Sequence, residues 1–443
     1  MSKNKSKKKN TGSPPISVRL SQCMIVKNEE KNIERALSWA KGITIEQIVV
    51  DTGSNDRTVE IAKKMGAKVL HFTWINDFAA AKNYALAQAT GNWIAFLDAD
   101  EFFSPEDAKK LMANIRQVQT NPQLRTNYLA IGCSLYNVDD SGKITSIIEQ
   151  ARIFKNNRQV RYRGRIHEGL TIDQSSIIWT EEIKIIHAAS KENRLEAGKW
   201  ERNIDLLRVE LAEDPENLSY KAYLADSLKG SGDEKNLAEA ESLYAEVVES
   251  GAGSLVYPEL KRKAYAYFMN KYTSDPAMFR ECEEICRKGL AEFPDLLDFE
   301  YFYAYSLNNK GDYAAAWELL VKCEARLEQE TNLAVSVYVS ADPTLLYVQM
   351  ALAAQGLGDV KSVIKYITLI LSADKTRTSA LCPYITTLIK NGASTYELAS
   401  LLGSIYDMND PGDLLIIARA AKECGAIELA SLITKNAKEI LGN

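Results

Sequence analysis

The stretch Trp93-Ile94-Ala95-Phe96-Leu97-Asp98-Ala99-Asp100 decides the fold. An unbroken apolar run closing on two acids spaced one residue apart reads as a buried strand that delivers Asp98 and Asp100 at its exit. Two hard oxygen donors at a strand end suit a divalent cation and the phosphates it neutralises. Taken alone, the same pattern also fits two solvated acids ahead of a helix that Ser104 and Pro105 would start. The flanking sequence decides between these readings.

Upstream, Cys23-Met24-Ile25-Val26 runs into Lys27-Asn28-Glu29-Glu30, and Gln47-Ile48-Val49-Val50 runs into Asp51-Thr52-Gly53-Ser54-Asn55-Asp56-Arg57-Thr58, with a helical stretch through Trp39 between them. β-Branched runs separated by a helix, each ending in a polar cluster, predict strand, helix and strand in a parallel sheet. Ligands then belong at the carboxyl ends of the strands. Asn28 and Glu29, Asp51, and the pair Asp98 and Asp100 occupy three such ends and converge on one crevice. Asp56, just before an apolar-periodic helix, reads as an N-cap.

Together with Trp74-Ile75-Asn76-Asp77-Phe78-Ala79-Ala80-Ala81-Lys82-Asn83 and Tyr162-Arg163-Gly164-Arg165-Ile166-His167-Glu168-Gly169-Leu170, these motifs resemble the family 2 glycosyltransferases. The resemblance implies an α/β domain of GT-A type, the fold of nucleotide-diphospho-sugar transferases. It also points to the branch that appends helical repeats and includes bacterial peptide and protein glycosyltransferases. Expected from it is an inverting, metal-dependent transfer of a glucose- or N-acetylglucosamine-type sugar from a UDP-sugar to a peptide or protein side chain.

The family pattern assigns roles by position. Ile25, Lys27 and Glu29 would flank the base and ribose, and Asp51 would accept from the uracil imide, an N–H donor. Asp98 would meet the ribose, or the metal through water, with the Ala99 backbone beside the nucleotide. Asp100 would hold the metal, Mn2+ or Mg2+. Lys82 stands where the family commonly has an arginine; it keeps the charge but loses the bidentate fork, and a diphosphate contact is expected of it.

Glu168 would be the acceptor-side base, with Asp173 in reserve, because inversion needs a group to take the acceptor proton. The competing reading has Glu168 neutralise a neighbouring arginine. His187 closes the last strand-like run and would add an imidazole to the metal, which favours Mn2+; the competing reading is a packed histidine. His71 and His167 are weaker candidates for the same part.

The chain has 443 residues, 46% hydrophobic and 26% charged, with a net charge of -5. That length predicts two domains, and that charge argues against a nucleic-acid partner. Lysines at 3, 5, 7, 8 and 9 precede Pro14 and Pro15 without an apolar segment, which reads as a solubilising tail rather than a signal peptide. No apolar run reaches transmembrane length, so no integral membrane segment and a cytoplasmic location are expected. Seven scattered cysteines suit reduced thiols. Cys282 and Cys286, four apart on one helix face, read as packing rather than zinc ligands.

The expected domains are a basic tail over 1–16, a GT-A domain over 17–194 and a tetratricopeptide-like domain over 195–443. In the GT-A part, Asp139-Asp140-Ser141-Gly142 predicts a hairpin turn between Leu135 and a strand over Ile144 to Ile148. In the last part strand signals vanish and small-residue turns recur at Gly232, Gly311, Gly358 and Gly425. Their spacing fits one or two units of a helix-turn-helix repeat of roughly 34 to 47 residues. Tyr301 to Trp317 matches that repeat best, its aromatics filling the layer between units. Such an array could hold the acceptor polypeptide or a second copy of the chain. Two other functions fit the same sequence: transfer to a cell-surface glycan or lipid-linked sugar, and a catalytically weak adaptor whose repeats bind partners.

Overall fold

The computed structural model describes residues 17–188, 198–251, 258–329, 338–339 and 342–442. The basic tail over 1–16 lies outside the described residues. So does the segment 189–197, in which the expected boundary at 194 falls. The chain divides into two compact units at Leu243 and Tyr244.

The first unit is built on an eight-stranded sheet. Its strands are β1 (Leu20–Val26), β2 (Glu46–Asp51), β3 (Lys68–His71), β4 (Trp93–Phe96), β5 (Glu101–Phe103), β6 (Ala130–Val138), β7 (Ile144–Lys155) and β10 (Ile177–His187), in the order β3-β2-β1-β4-β7-β6-β10-β5. A separate two-stranded ladder joins β8 (Tyr162–Arg163) to β9 (Gly169–Leu170). β1, β2, β3 and β4 run parallel, as do β6 and β10, while β7 and β5 run against their neighbours.

The helices are α1 (Ile33–Ser38), α2 (Thr58–Lys64), α3 (Phe78–Gln88), α4 (Pro105–Thr120) and α5 (Pro122–Asn127). β4 and Leu97 are wholly buried, as an apolar run without alternation requires of a central strand. One apolar cluster gathers Leu20, Trp93, Leu111, Ile115 and Ile185, and another gathers Cys23, Ile48, Phe96, Phe154 and Tyr162.

Several expectations are met in the backbone. The β6–β7 hairpin turns where expected, Asp139 N donating to Lys143 O at 3.0 Å. Ser104 caps α4, accepting from Asp107 N at 3.0 Å, with Pro105 in the first turn. Asp77 caps α3 through Ala80 N at 2.8 Å. Asp56 differs from the N-cap reading: Arg57 holds the cap position, and Asp56 accepts from Thr58 N at 2.9 Å and Glu30 N at 3.1 Å. It thereby ties the loop after β1 to the start of α2.

β5 was not legible in advance. After β4 the chain does not enter α4 directly; it crosses to the far edge of the sheet and pairs with β10. Asp98 and Asp100 lie on that crossing, which passes β7, β6 and β10 to reach β5. Three further helices close the first unit: α6 (Lys199–Glu213), α7 (Leu218–Gly230) and α8 (Glu234–Glu249), whose last turns pass into the second unit.

The second unit continues with α9 (Pro258–Thr273), α10 (Phe279–Glu292), α11 (Leu297–Lys310), α12 (Tyr313–Gln329), α13 (Thr344–Leu357), α14 (Val360–Ala373), α15 (Thr378–Lys390), α16 (Thr395–Leu402), α17 (Pro411–Glu423) and α18 (Ile427–Leu441). From α9 to α16 each helix packs on the next, α17 packs on α18, and α9 with α11, α11 with α13, α15 with α17 and α16 with α18 also touch. That nearest and next-nearest pattern is the mark of stacked helical repeats. Gly311 and Gly358 end α11 and α13 in the left-handed region, at φ 83 and 74. Gly289 on α10 admits the Phe299 ring so closely that a Cβ would sit 2.1 Å from it. Cys282 and Cys286 are buried here, Cys282 Sγ donating to Phe302 O at 3.7 Å.

Candidate active site

The crossing from β4 to β5 brings acids from one segment against cations from three elements. Asp98 Oδ2 lies 2.9 Å from the Arg152 guanidinium on β7, and its Oδ1 lies 3.5 Å from Lys82 Nζ on α3. Arg152 also meets Glu101 at 2.6 Å, and the second oxygen of Glu101 accepts from Asp98 N at 3.1 Å. Lys82 Nζ reaches Glu168 Oε1 at 2.6 Å, between β8 and β9. One ion-pair network centred on the buried Lys82 therefore joins the D-x-D segment to Glu168.

Charge balance explains why it holds. Burial works to lower the pKa of Lys82, but Asp98 and Glu168 outweigh it and keep the ammonium protonated above its usual range. The rings of Phe96 and Tyr162, each 5.1 Å from Nζ, supply the remaining shell. For Asp98 burial works upward, and the Lys82 and Arg152 cations together hold its carboxyl below the ordinary range. Among the described residues Arg152 Nε and Tyr162 Oη are buried without a hydrogen-bond partner.

Asp100 faces the other way. His187, the last residue of β10, places Nε2 3.1 Å from Asp100 Oδ2, and its Nδ1 lies 2.5 Å from Asn137 Oδ1 on β6. The backbone is pinned as well, Ala188 N donating to Asp100 O at 3.0 Å. With an oxygen acceptor at each ring nitrogen, the bond to Asp100 raises the imidazole above its usual 6.5 despite burial. With Asn137 Oδ1 accepting from Nδ1, loss of the Nε2 proton would leave the neutral tautomer a metal ligand needs. Among the described residues no three His, Cys, Asp or Glu side chains form a metal cluster. One carboxylate and one imidazole fit a cation whose other ligands come from phosphate oxygens and water.

At the end of the first strand, Glu29 follows β1. Burial first, and the charges of Asp100 and Asp98 with it, push its carboxyl up to about 7. The acids that follow β1 and β4 thus lie within electrostatic reach of one another. Asp51 ends β2 on the same edge; its carboxylate accepts from Ser54 N at 3.0 Å and Gly53 N at 3.3 Å, and lies 3.2 Å from His71 Nδ1. Ile25 is half-buried near the end of β1, and Lys27 is exposed just beyond it. Ala99 is buried between the two acids.

Asp173 is exposed ahead of a 3-10 turn. His167 stacks on Tyr223 of α7 with ring centroids 3.7 Å apart, and His71 is engaged with Asp51. Arg152, Glu101 and Asn137 were missed by sequence reasoning. The one available signal was a lone arginine in the apolar run Ala151-Arg152-Ile153-Phe154, where the sheet buries it.

Residues 21–122, spanning β1 through the start of α5, match the family described as Glycosyl transferase family 2. That segment, within the N-terminal domain, is what the chain shares with glycosyltransferase family 2. It is 31% identical over 223 residues to a TPR repeat-containing protein of Synechococcus elongatus, covering 48% of this chain and 51% of that protein. It is likewise 31% identical over 213 residues to the SPbeta prophage-derived glycosyltransferase SunS of Bacillus subtilis, covering 46% of this chain and 48% of that one. A glycosyltransferase of Rickettsia typhi is 43% identical over 88 residues, 20% of this chain and 30% of that one. The chain spans about half the length of the first two relatives. The sheet of GT-A type and the stacked helices after it agree with both groups of relatives, and among the described residues no helix is long and apolar enough to cross a membrane.

Proposed function

We propose that this family 2 domain transfers a sugar from a UDP-sugar, of glucose or N-acetylglucosamine type, to a side chain of a peptide or protein, with inversion and with Mn2+ or Mg2+. The observation that carries the reading is the pair Asp100 and His187, backed by Asn137 and set beside Asp98. A divalent cation held there would neutralise charge gathering on the departing diphosphate.

The chain's own residues do the rest. Ile25, Lys27 and Glu29 border the base and ribose at the end of β1. Asp51 keeps acceptor capacity for an imide N–H, since three donors do not exhaust two carboxylate oxygens. Asp98, fixed by Arg152 and Lys82, presents a rigid edge to the ribose, beside Ala99. Glu168 takes the proton of the acceptor as its nucleophilic atom bonds to the anomeric carbon and the bond to the diphosphate breaks on the opposite face. Lys82 holds Glu168 in place; to meet the diphosphate as well, it would have to leave Asp98. The acceptor polypeptide lies along the helical repeats, whose extended surfaces suit peptide segments.

The test is release of UDP from a panel of UDP-sugars with and without Mn2+, followed by intact mass of candidate acceptor peptides. Mn2+-dependent release and a hexose or N-acetylhexosamine increment support the reading. Absence of both with every donor rejects it.

A further inference from the structure

Glu168 sits in a segment whose backbone is costly to hold. His167 adopts a left-handed conformation at φ 51, and Gly164 one at φ 99. A non-glycine residue in that region persists only where its surroundings impose it. Two helices that follow the sheet impose it here. Glu210 on α6 accepts from Arg165 N at 2.6 Å and from the Tyr220 hydroxyl, and Glu213 pairs with the Arg165 guanidinium at 2.6 Å. Tyr220 on α7 closes over Gly164, where a Cβ would lie 2.8 Å from its hydroxyl oxygen. Tyr223, one turn further along α7, stacks on the His167 ring at 3.7 Å and 6°.

We infer that Tyr223 and Glu210 are positioning residues for Glu168. By clamping Arg165 and His167 they hold the carboxylate against Lys82, and α6 and α7 belong to the catalytic unit rather than to an acceptor-binding appendage. The clamp works from one side only. On the other, the β8–β9 ladder fixes Gly169 and Leu170, and Phe78 N donates to Arg165 O at 2.9 Å. Glu168 lies between these supports with its side chain 13% exposed. Without the clamp, His167 loses what offsets its left-handed backbone, and Glu168 leaves Lys82. This inference rests on the proposed role of Glu168 as base.

The test uses full-length protein with Tyr223→Leu, Tyr223→Phe, Glu168→Gln and the double variant Y223L/E168Q. The chain has three histidines, so a carbon-13 correlation spectrum resolves each imidazole, and H167Q assigns one of them. The His167 ring proton is expected upfield, shifted by the Tyr223 ring, in wild type and Y223F, and at its ordinary position in Y223L.

The second readout is UDP release from UDP-glucose with Mn2+, water serving as acceptor. Y223L is expected to lower kcat about tenfold to a hundredfold with KM for UDP-glucose unchanged, Y223F to restore most of it, and the double variant to fall no lower than E168Q. An unshifted His167 signal in wild type overturns the clamp. A Y223L enzyme that loses the shift but keeps wild-type kcat overturns its catalytic meaning. If E168Q is fully active, or wild type releases no UDP, the base reading fails and the positioning role falls with it, while the histidine signal still reports whether the clamp exists.

Discussion

Lys82 Nζ stands 2.6 Å from Glu168 Oε1 inside a shell of Phe96 and Tyr162. The same ammonium lies 3.5 Å from Asp98, so Asp98 and Glu168 share one buried cation. Removing it leaves the half-buried Asp98 and the more buried Glu168 without their shared cation, and the remaining Arg152 reaches only Asp98.

Lys82→Met is therefore expected to destabilise the first unit by on the order of 3–5 kcal/mol, the cost of breaking a buried pair from one side. Lys82→Arg should lose less, because it keeps the charge. Urea unfolding followed by circular dichroism measures both. A K82M protein as stable as wild type would show that the network contributes nothing to folding.

His187→Ala is expected to weaken Mn2+ binding in the presence of UDP by about tenfold to a hundredfold, and Asn137→Ala by less, since Asn137 acts only through the imidazole. Titration of Mn2+ by electron paramagnetic resonance reads the free ion directly. Unchanged affinity in H187A would return His187 to a packing role.

Glu168→Gln should bind UDP as wild type does and lose transfer to a hydroxyl acceptor by a hundredfold or more, within the usual range for a general base. A thiol acceptor, already partly ionised near neutral pH, should lose less. Peptides differing only in serine or cysteine at one position make the comparison. Full activity on both would remove Glu168 from the chemistry.

Glu29 predicts a pH dependence of stability. Its carboxyl is raised from 4.5 to about 7 by burial and by Asp100 and Asp98, so the folded state binds the proton more tightly than the unfolded state. The contribution is fully present below pH 4.5 and is lost as pH rises through about 7. Relative to Glu29→Gln, metal-free wild type should lose stability across that window and level off above it. Parallel curves for the two proteins would contradict the shift.

The strand ends were legible because their chemistry is local. An apolar run closing on Asp98 and Asp100, and others closing on Asp51 and on Asn28 and Glu29, announce a parallel sheet and its polar edge from a few residues each. The hairpin at Asp139 to Gly142 and the glycine turns at 311 and 358 were legible for the same reason. Arg152, Asn137 and Tyr223 were not, because each matters only through a partner far away in sequence. Arg152 meets Asp98 through the antiparallel register of β4 and β7, and His187 meets Asp100 only because the chain crosses to β5. No periodicity encodes that crossing. α6 and α7 read as the first repeats, since the helix period does not reveal that their inward residues face the His167 loop.

The most direct measurement of the central claim is calorimetric titration of UDP into wild type and Asp100→Ala, each with and without Mn2+. Expected is a gain of at least tenfold in wild-type UDP affinity on adding Mn2+, and no gain in D100A with its circular dichroism spectrum unchanged. Equal UDP affinity in wild type with and without Mn2+, or an equal gain in both proteins, would contradict a metal site at Asp100.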